Sequence, residues 1–382
     1  MRIWPFPSRF REDPYRKGKL PFRALFLLAI LSLCVLLVLE AAKIFRPDAY
    51  RTEKAAARDS MRFGMQVLKA ERWRLGIPID PAIDPAGTGL IGEAYNDLTT
   101  TIGSLASKRT SANPEFAAVI VDMLGEAGAR SGDFVAVSFS GSFPALNLAV
   151  LSAVRAMELK PVIISSIGAS MYGANLPGLT WLDMERILRE QGLLPYRSIA
   201  ASLGGIADTK GGLDGTGIES GLLAIRRNGV PLLEEGTEPL QTDIRRRLEL
   251  YDREISGGKP AAFINVGGPS TSLGNVPGAD RMPVGLWRKI PAVHEPDRGM
   301  LFLMGERGVP VIHLLKIGRI AARYGIAFDP LGTETLWSAG AAGRGRYSKS
   351  IALAGLAVLL FAMGFLVRKN GCSIRIRREG NL

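Results

Sequence analysis

The clearest pattern of apolar and polar positions in the chain spans Gly132–Ala169. Phe134–Val137 is a short apolar run with β-branched residues, and Ser138–Ser142 is a small, hydroxyl-rich turn. Pro144 opens a helix that places Leu146, Ala149, Val150, Ala153 and Met157 at helical spacing, and Val162–Ile164 is a second apolar run too short for a helix. This order predicts a β-α-β unit with parallel strands and a right-handed crossover. Ligands of open α/β sheets sit at the carboxyl ends of the strands, so Ser138–Ser142 and Ser165–Ser170 are expected on one rim.

The same reading extends in both directions. Asp48 to about Leu75 has the apolar spacing of a helix ended by Gly76-Ile77-Pro78, and Asn113-Pro114-Glu115 signals a helix start. Thr180 with Asp183 reads as a capping-box variant. Residues 203–221 are dense in glycine, as suits a loop whose backbone approaches a ligand, with Asp208, Lys210 and Asp214 as charged members. Helices follow near Ile218 and over Glu238–Glu254, then a strand at Ala261–Val266 runs into a second Gly/Ser/Thr turn, Gly267–Asn275. Gly308–His313 is a further strand, followed by a helix from about Lys316 to Tyr324. Strands alternating with helices predict one α/β domain over residues 113–328: a mostly parallel sheet with helices on both faces, Rossmann-like and three-layered. Residues 40–112 are expected to form a helical and loop connector, and residues 329–350 a Gly/Arg linker.

Two uncharged apolar stretches, Ala24–Leu39 and Ile351–Val367, bracket this domain. Their length and the basic residues outside them predict transmembrane helices. The formal net charge is +12, but residues 1–23 carry seven Lys/Arg against two Asp/Glu, and residues 368–382 five against one. The two tails therefore hold most of the excess. That speaks against a nucleic-acid surface on the folded part and, by the positive-inside rule, for cytoplasmic tails and an extracytoplasmic central domain. The first apolar region is long for a signal peptide, and its flank Glu40-Ala41-Ala42-Lys43 is a poor small-residue cleavage site, which favours a retained anchor. Cys34 falls in the first span and Cys372 in the tail, so the central domain makes no disulfide.

Candidate chemistry concentrates at three strand-to-turn junctions. Ser138, Ser140, Gly141 and Ser142, then Ser166 and Ser170, then Gly267, Gly268, Ser270 and Thr271 supply hydroxyls and backbone N–H groups suited to an anion. The Ser138–Ser142 turn resembles the Ser-Gly-Ser/Thr turn of phosphosugar-binding sugar-isomerase domains. No Walker A loop is present, and no strand leads into GxGxxG. A catalytic set can be drawn from Ser140 or Ser142 with His313 and Asp208, although no GxSxG elbow is present. Thr99–Thr101 are further nucleophile candidates, and Asp80 with Asp84 is a carboxylate pair whose Asp-Pro context reads first as turn chemistry. Trp181 and Trp287 read as packing. With two histidines, His294 and His313, and no paired His or Cys spacing, no metal site and no cofactor are expected.

Longer blocks carry a resemblance. TGLIGEAYNDLTTTIGSLASKRTSANPEFAAVIVDML, GDFVAVSFSGSFPALNLAVLSA, SSIGASMYGANLPGLTWLDMERIL and the GGIADTKGG loop resemble the poly-γ-glutamate system protein family of bacteria, over roughly residues 40–340. The resemblance implies a membrane-anchored accessory component of poly-γ-glutamate synthesis or export. Its implied partners are the membrane components of the synthase, the lipid bilayer, and an anionic polymer or glutamate-like ligand. It implies no assigned site residues. Two other readings stand beside it. One is a membrane-tethered hydrolase or transferase with a Ser or Thr nucleophile acting on γ-glutamyl or envelope peptides. The other is a sensor for a phosphosugar or nucleotide.

Overall fold

The computed structural model describes residues 20–42, 49–205, 208, 210–233, 240–275, 282–290, 298–336 and 349–369. His294, Cys372 and most of both basic tails and of the 329–350 linker lie outside the described residues.

In chain order the elements are α1 (Phe22–Ala41), α2 (Arg51–Arg74), β1 (Thr99–Thr101), α3 (Leu105–Ser111), α4 (Glu115–Ala127), β2 (Phe134–Ser140), α5 (Pro144–Ala156) and β3 (Lys160–Ser166). Next come β4 (Ala169–Ser170), β5 (Asn175–Leu176), β6 (Leu179–Thr180), α6 (Trp181–Glu190), β7 (Ala200–Ser202), α7 (Gly215–Arg227) and α8 (Leu240–Glu254). The chain continues through β8 (Ala262–Val266), α9 (Ser270–Leu273), β9 (Gly285–Trp287), α10 (Met300–Glu306), β10 (Val311–Leu314), α11 (Ile317–Tyr324), α12 (Thr333–Leu336) and α13 (Lys349–Lys369).

These elements fall into two compact units, residues 1–48 with 343–382, and residues 49–342. In the first, α1 and α13 are each long and apolar enough to cross a membrane, and they pack on one another. Gly355 permits the approach: a Cβ there would lie 2.7 Å from Val35 Cγ1, the close contact that small residues give apolar helix pairs.

The second unit is a mixed α/β structure around a six-stranded sheet of order β7-β3-β2-β8-β10-β9. Five strands are parallel, and β9 closes one edge antiparallel to β10. The near-continuous apolar runs of β2, β3 and β8 follow from burial on both faces. Alternate residues of β2 separate the faces. Val135, Val137 and Phe139 join the core made with α2, α4, α5 and α6, whereas Ala136 joins the one made with α8 and α10. Trp181 is fully buried, edge-on to Phe139 at 5.4 Å between ring centroids.

Local signals explain the helix ends. The Asn113 side chain accepts from Glu115 N at 2.9 Å, and α4 stops at Gly128, whose φ of 94° suits a residue without Cβ. Thr180 and Asp183 form a reciprocal capping box on α6. Asp84 turns inward, accepting from Thr88 Oγ1 at 3.0 Å and Gly89 N at 2.8 Å, so it closes a loop. Helix α2, β1 and α3 belong to the same compact unit as the sheet, through α2 on α4 and α5 and β1 on β4. Residues 49–112 are thus built into the folded unit, because α2 buries Met61, Met65 and Leu68 in its main core.

From β2 the chain moves outward to β3 and β7, then returns to β8 on the other side of β2 and continues to β10. The loops after β2 and β8 therefore diverge. Such a divergence leaves a crevice above the carboxyl ends of the strands.

Candidate functional site

A cavity of about 370 Å³ opens at those strand ends. The end of β2 and the turn after it contribute Ser140, Ser142 and Phe143; the end of β3 and the chain through β4, Ser166, Gly168 and Ser170; the loop after β7, Gly204 and Gly205. The loop after β8 adds Gly268, Pro269 and Ser270, and the loop after β10 adds Leu315 and Lys316. Residues 100–104 with Ser107 and Lys108 complete the rim. The three Ser/Gly junctions singled out in the sequence therefore meet at one pocket, and Thr100 and Thr101 join them.

Glycine makes this convergence possible. A Cβ at Gly141 would lie 2.5 Å from Ile167 O, so only glycine lets the turns after β2 and β3 approach so closely. The hydroxyls then form a chain: Ser140 Oγ accepts from Ser142 N at 3.1 Å and donates to Ser142 Oγ at 3.0 Å. Ser142 Oγ in turn accepts from Ser170 N at 3.0 Å.

Other predicted residues lie elsewhere. Ser138 is buried beneath the pocket with its Oγ 3.4 Å from Ser272 Oγ, and Thr271 is buried in α9. Gly267 backs on Ser140 from behind the rim: a Cβ there would sit 3.3 Å from Ser140 Cβ. His313 is 2 % exposed, with Nδ1 2.9 Å from Asn265 Nδ2. Burial, with a contribution from Lys316, pushes its pKa down to about 4, so the ring is neutral at pH 7. Asp208 is ion-paired with Arg247 at 2.9 Å. Ser140, His313 and Asp208 thus each engage different partners, and the structure does not assemble them into a catalytic set. Their sequence order fits a shared rim, but the His313 ring is buried against Asn265 of the neighbouring strand β8 and does not line the pocket.

Lys108 is the site residue that sequence reading misses. In sequence it falls in the helical and loop connector of residues 40–112, in a polar stretch that gives it no distinguishing signal. In the fold it is 3 % exposed. Its Nζ donates to the Ser142 carbonyl oxygen and, at 2.8 Å, to Ser170 Oγ, and stands 3.8 Å from the centre of the Phe143 ring. Desolvation pushes its pKa down to about 7.

Among the pocket's lining residues are nine serine or threonine hydroxyls, two lysines and no carboxylate. This arrangement can hold a small anion, and the Ser/Lys pairing can move a proton. No group of His, Cys, Asp and Glu able to hold a metal occurs among the described residues.

Fold and site together define a mixed α/β protein with a hydroxyl- and lysine-lined crevice at its strand ends, bracketed in sequence by two apolar helices of membrane-spanning length. Compared with models of known families, with curated proteins and with solved structures, the chain has no match.

Proposed function

We propose that this protein is a membrane-anchored accessory component of poly-γ-glutamate synthesis or export, whose α/β domain binds a carboxylate-bearing ligand, polymer end or precursor, in the strand-end pocket. The observation that carries the proposal is the pocket's lining: two lysines and nine hydroxyls with no acidic residue. Such a surface favours an anion by charge and supplies donors for its oxygens.

The family resemblance supports the same site from a different direction. Its four sequence blocks are successive stretches of residues 88–212, and each contributes to this pocket: Lys108 from the first, Ser142 from the second, Ser170 from the third and Gly204 from the fourth. The strand order fits a Rossmann-like, doubly wound reading, with the ligand at the point where the chain reverses direction. The basic tails favour cytoplasmic termini, with the domain outside the membrane as the polymer emerges.

The test is calorimetric titration of the full-length protein in detergent with γ-linked glutamate oligomers. Binding is expected to weaken at least about tenfold in Lys108→Met, the loss of one hydrogen bond to a charged group. It should also weaken in the wild type as the pH rises above 7, because Lys108 then loses its proton. Equal affinity in both proteins at pH 6 would remove the proposal. Tighter binding of a sugar phosphate than of the oligomers would transfer the pocket to the sensor reading.

A further inference from the structure

Not all the pocket hydroxyls are equivalent. Ser140 and Ser142 satisfy one another, and Ser166 Oγ lies 3.0 Å from Ser202 Oγ. Ser170 Oγ instead lies 2.8 Å from an amine, Lys108 Nζ. We propose that Ser170 and Lys108 form an acyl-transfer pair, with Ser170 as nucleophile and Lys108 as its base, acting on an amide whose acyl part carries a carboxylate. The carboxylate specificity rests on the anion-binding reading above; the pair itself does not.

The geometry meets the requirements of an activated hydroxyl. Nucleophile and base are within hydrogen-bond reach, and the base is fixed by a third group, the Ser142 carbonyl, to which Nζ donates. Burial keeps a large fraction of Lys108 neutral at pH 7, and neutral Nζ has a lone pair for the Ser170 proton. The Phe143 ring and the Ser142 carbonyl oxygen then stabilise the ammonium that forms. Gly103 keeps the nucleophile approachable from the pocket, since a Cβ there would lie 3.1 Å from Ser170 Oγ.

The step balances without a further cofactor. Ser170 Oγ bonds to the amide carbonyl carbon as its proton passes to Lys108 Nζ. The tetrahedral intermediate expels the amine, the C–N bond breaks, and the proton on Nζ goes to the departing nitrogen. Water then attacks the seryl ester; its proton passes through Nζ to Ser170 Oγ as the C–O bond breaks. The net change is hydrolysis of one amide to a carboxylic acid and an amine. An amine in place of water gives transfer.

The test uses the full-length protein in detergent and a fluorophosphonate, which phosphonylates activated serines, with peptide mapping of the adduct. The expected result is an adduct on Ser170 whose rate of formation rises with pH about a midpoint near 7. Lys108→Met is expected to slow labelling about 100-fold or more. Lys108→Arg keeps a cation and hydrogen-bond donors but supplies no base, so it should be equally slow; circular dichroism checks that both variants fold. No adduct, an adduct on another serine, or wild-type labelling in the folded Lys108→Arg protein would overturn the pair. Tri-γ-glutamate is titrated in parallel. Binding without labelling rejects the pair and leaves the anion site intact. Labelling without binding keeps the pair and rejects the carboxylate specificity.

Discussion

Two of the cations that the α/β unit buries are held in contrasting ways. Arg247, on α8, is 3 % exposed; it pairs with Asp208 at 2.9 Å and donates to Ser202 Oγ at 2.7 Å. Lys108 is equally buried, but its partners are a carbonyl, a hydroxyl and an aromatic ring, all uncharged. A buried charge without a counter-charge loses its solvation and regains only part of it, so the Lys108 pKa falls; Arg247 instead has a carboxylate beside it. The difference separates a cation that stabilises the fold from one left available to a ligand or to a proton.

The largest effect should come from breaking the structural pair. Arg247→Met strands the Asp208 carboxylate, which is 1 % exposed, and should destabilise the protein by roughly 3–5 kcal/mol. Chemical denaturation of the α/β unit measures it, and a loss below about 1 kcal/mol would show that the two buried cations are energetically alike.

Lys108 should show its character through pH. Its pKa is about 7 in the folded protein against 10.5 for the free side chain. Between those values the unfolded chain holds a proton that the folded one has released, so stability attributable to Lys108 rises with pH from about 7 upward. The slope should approach about 1.4 kcal/mol per pH unit. Stability of the wild type relative to Lys108→Met, measured over about pH 7 to 9, isolates this contribution from other titrations. A flat difference would mean that Lys108 keeps its proton and resembles Arg247 after all.

This contrast is only half legible in the sequence. The β2-α5-β3 unit stands out because fully buried parallel strands read as apolar runs bounded by a small-residue turn. The meeting of Ser140, Ser166 and Ser270 follows from the rule for strand ends. Lys108 is hidden because its burial is made by Ser142 and Ser170, 34 and 62 residues away, not by its own short polar helix. Arg247 is hidden in the run Arg245-Arg246-Arg247, where charge reads as solvated surface. Strands β1, β4, β5, β6, β7 and β9 are two or three residues long, too short to show a period, and their positions come from tertiary pairing. Sequence puts His313 at the right end of the right strand, but it gives no sign of the Asn265 contact that holds the ring in the sheet.

The smallest predicted effect tests whether the two cations are independent. Ser202 joins them: its Oγ accepts from Arg247 and lies 3.0 Å from Ser166 Oγ, and Ser166 lines the pocket. Ser202→Ala removes that link but leaves the Arg247–Asp208 ion pair in place, so it should cost only about 1 kcal/mol. If the pair and the pocket are separate devices, anion affinity in this variant should change less than about threefold, since coupling through a single hydroxyl is then worth well under about 1 kcal/mol. A loss of affinity of about tenfold, with Lys108 untouched, would mean that the ion pair holds the pocket in its binding shape. Arg247 would then belong to the site and no longer stand in contrast to it.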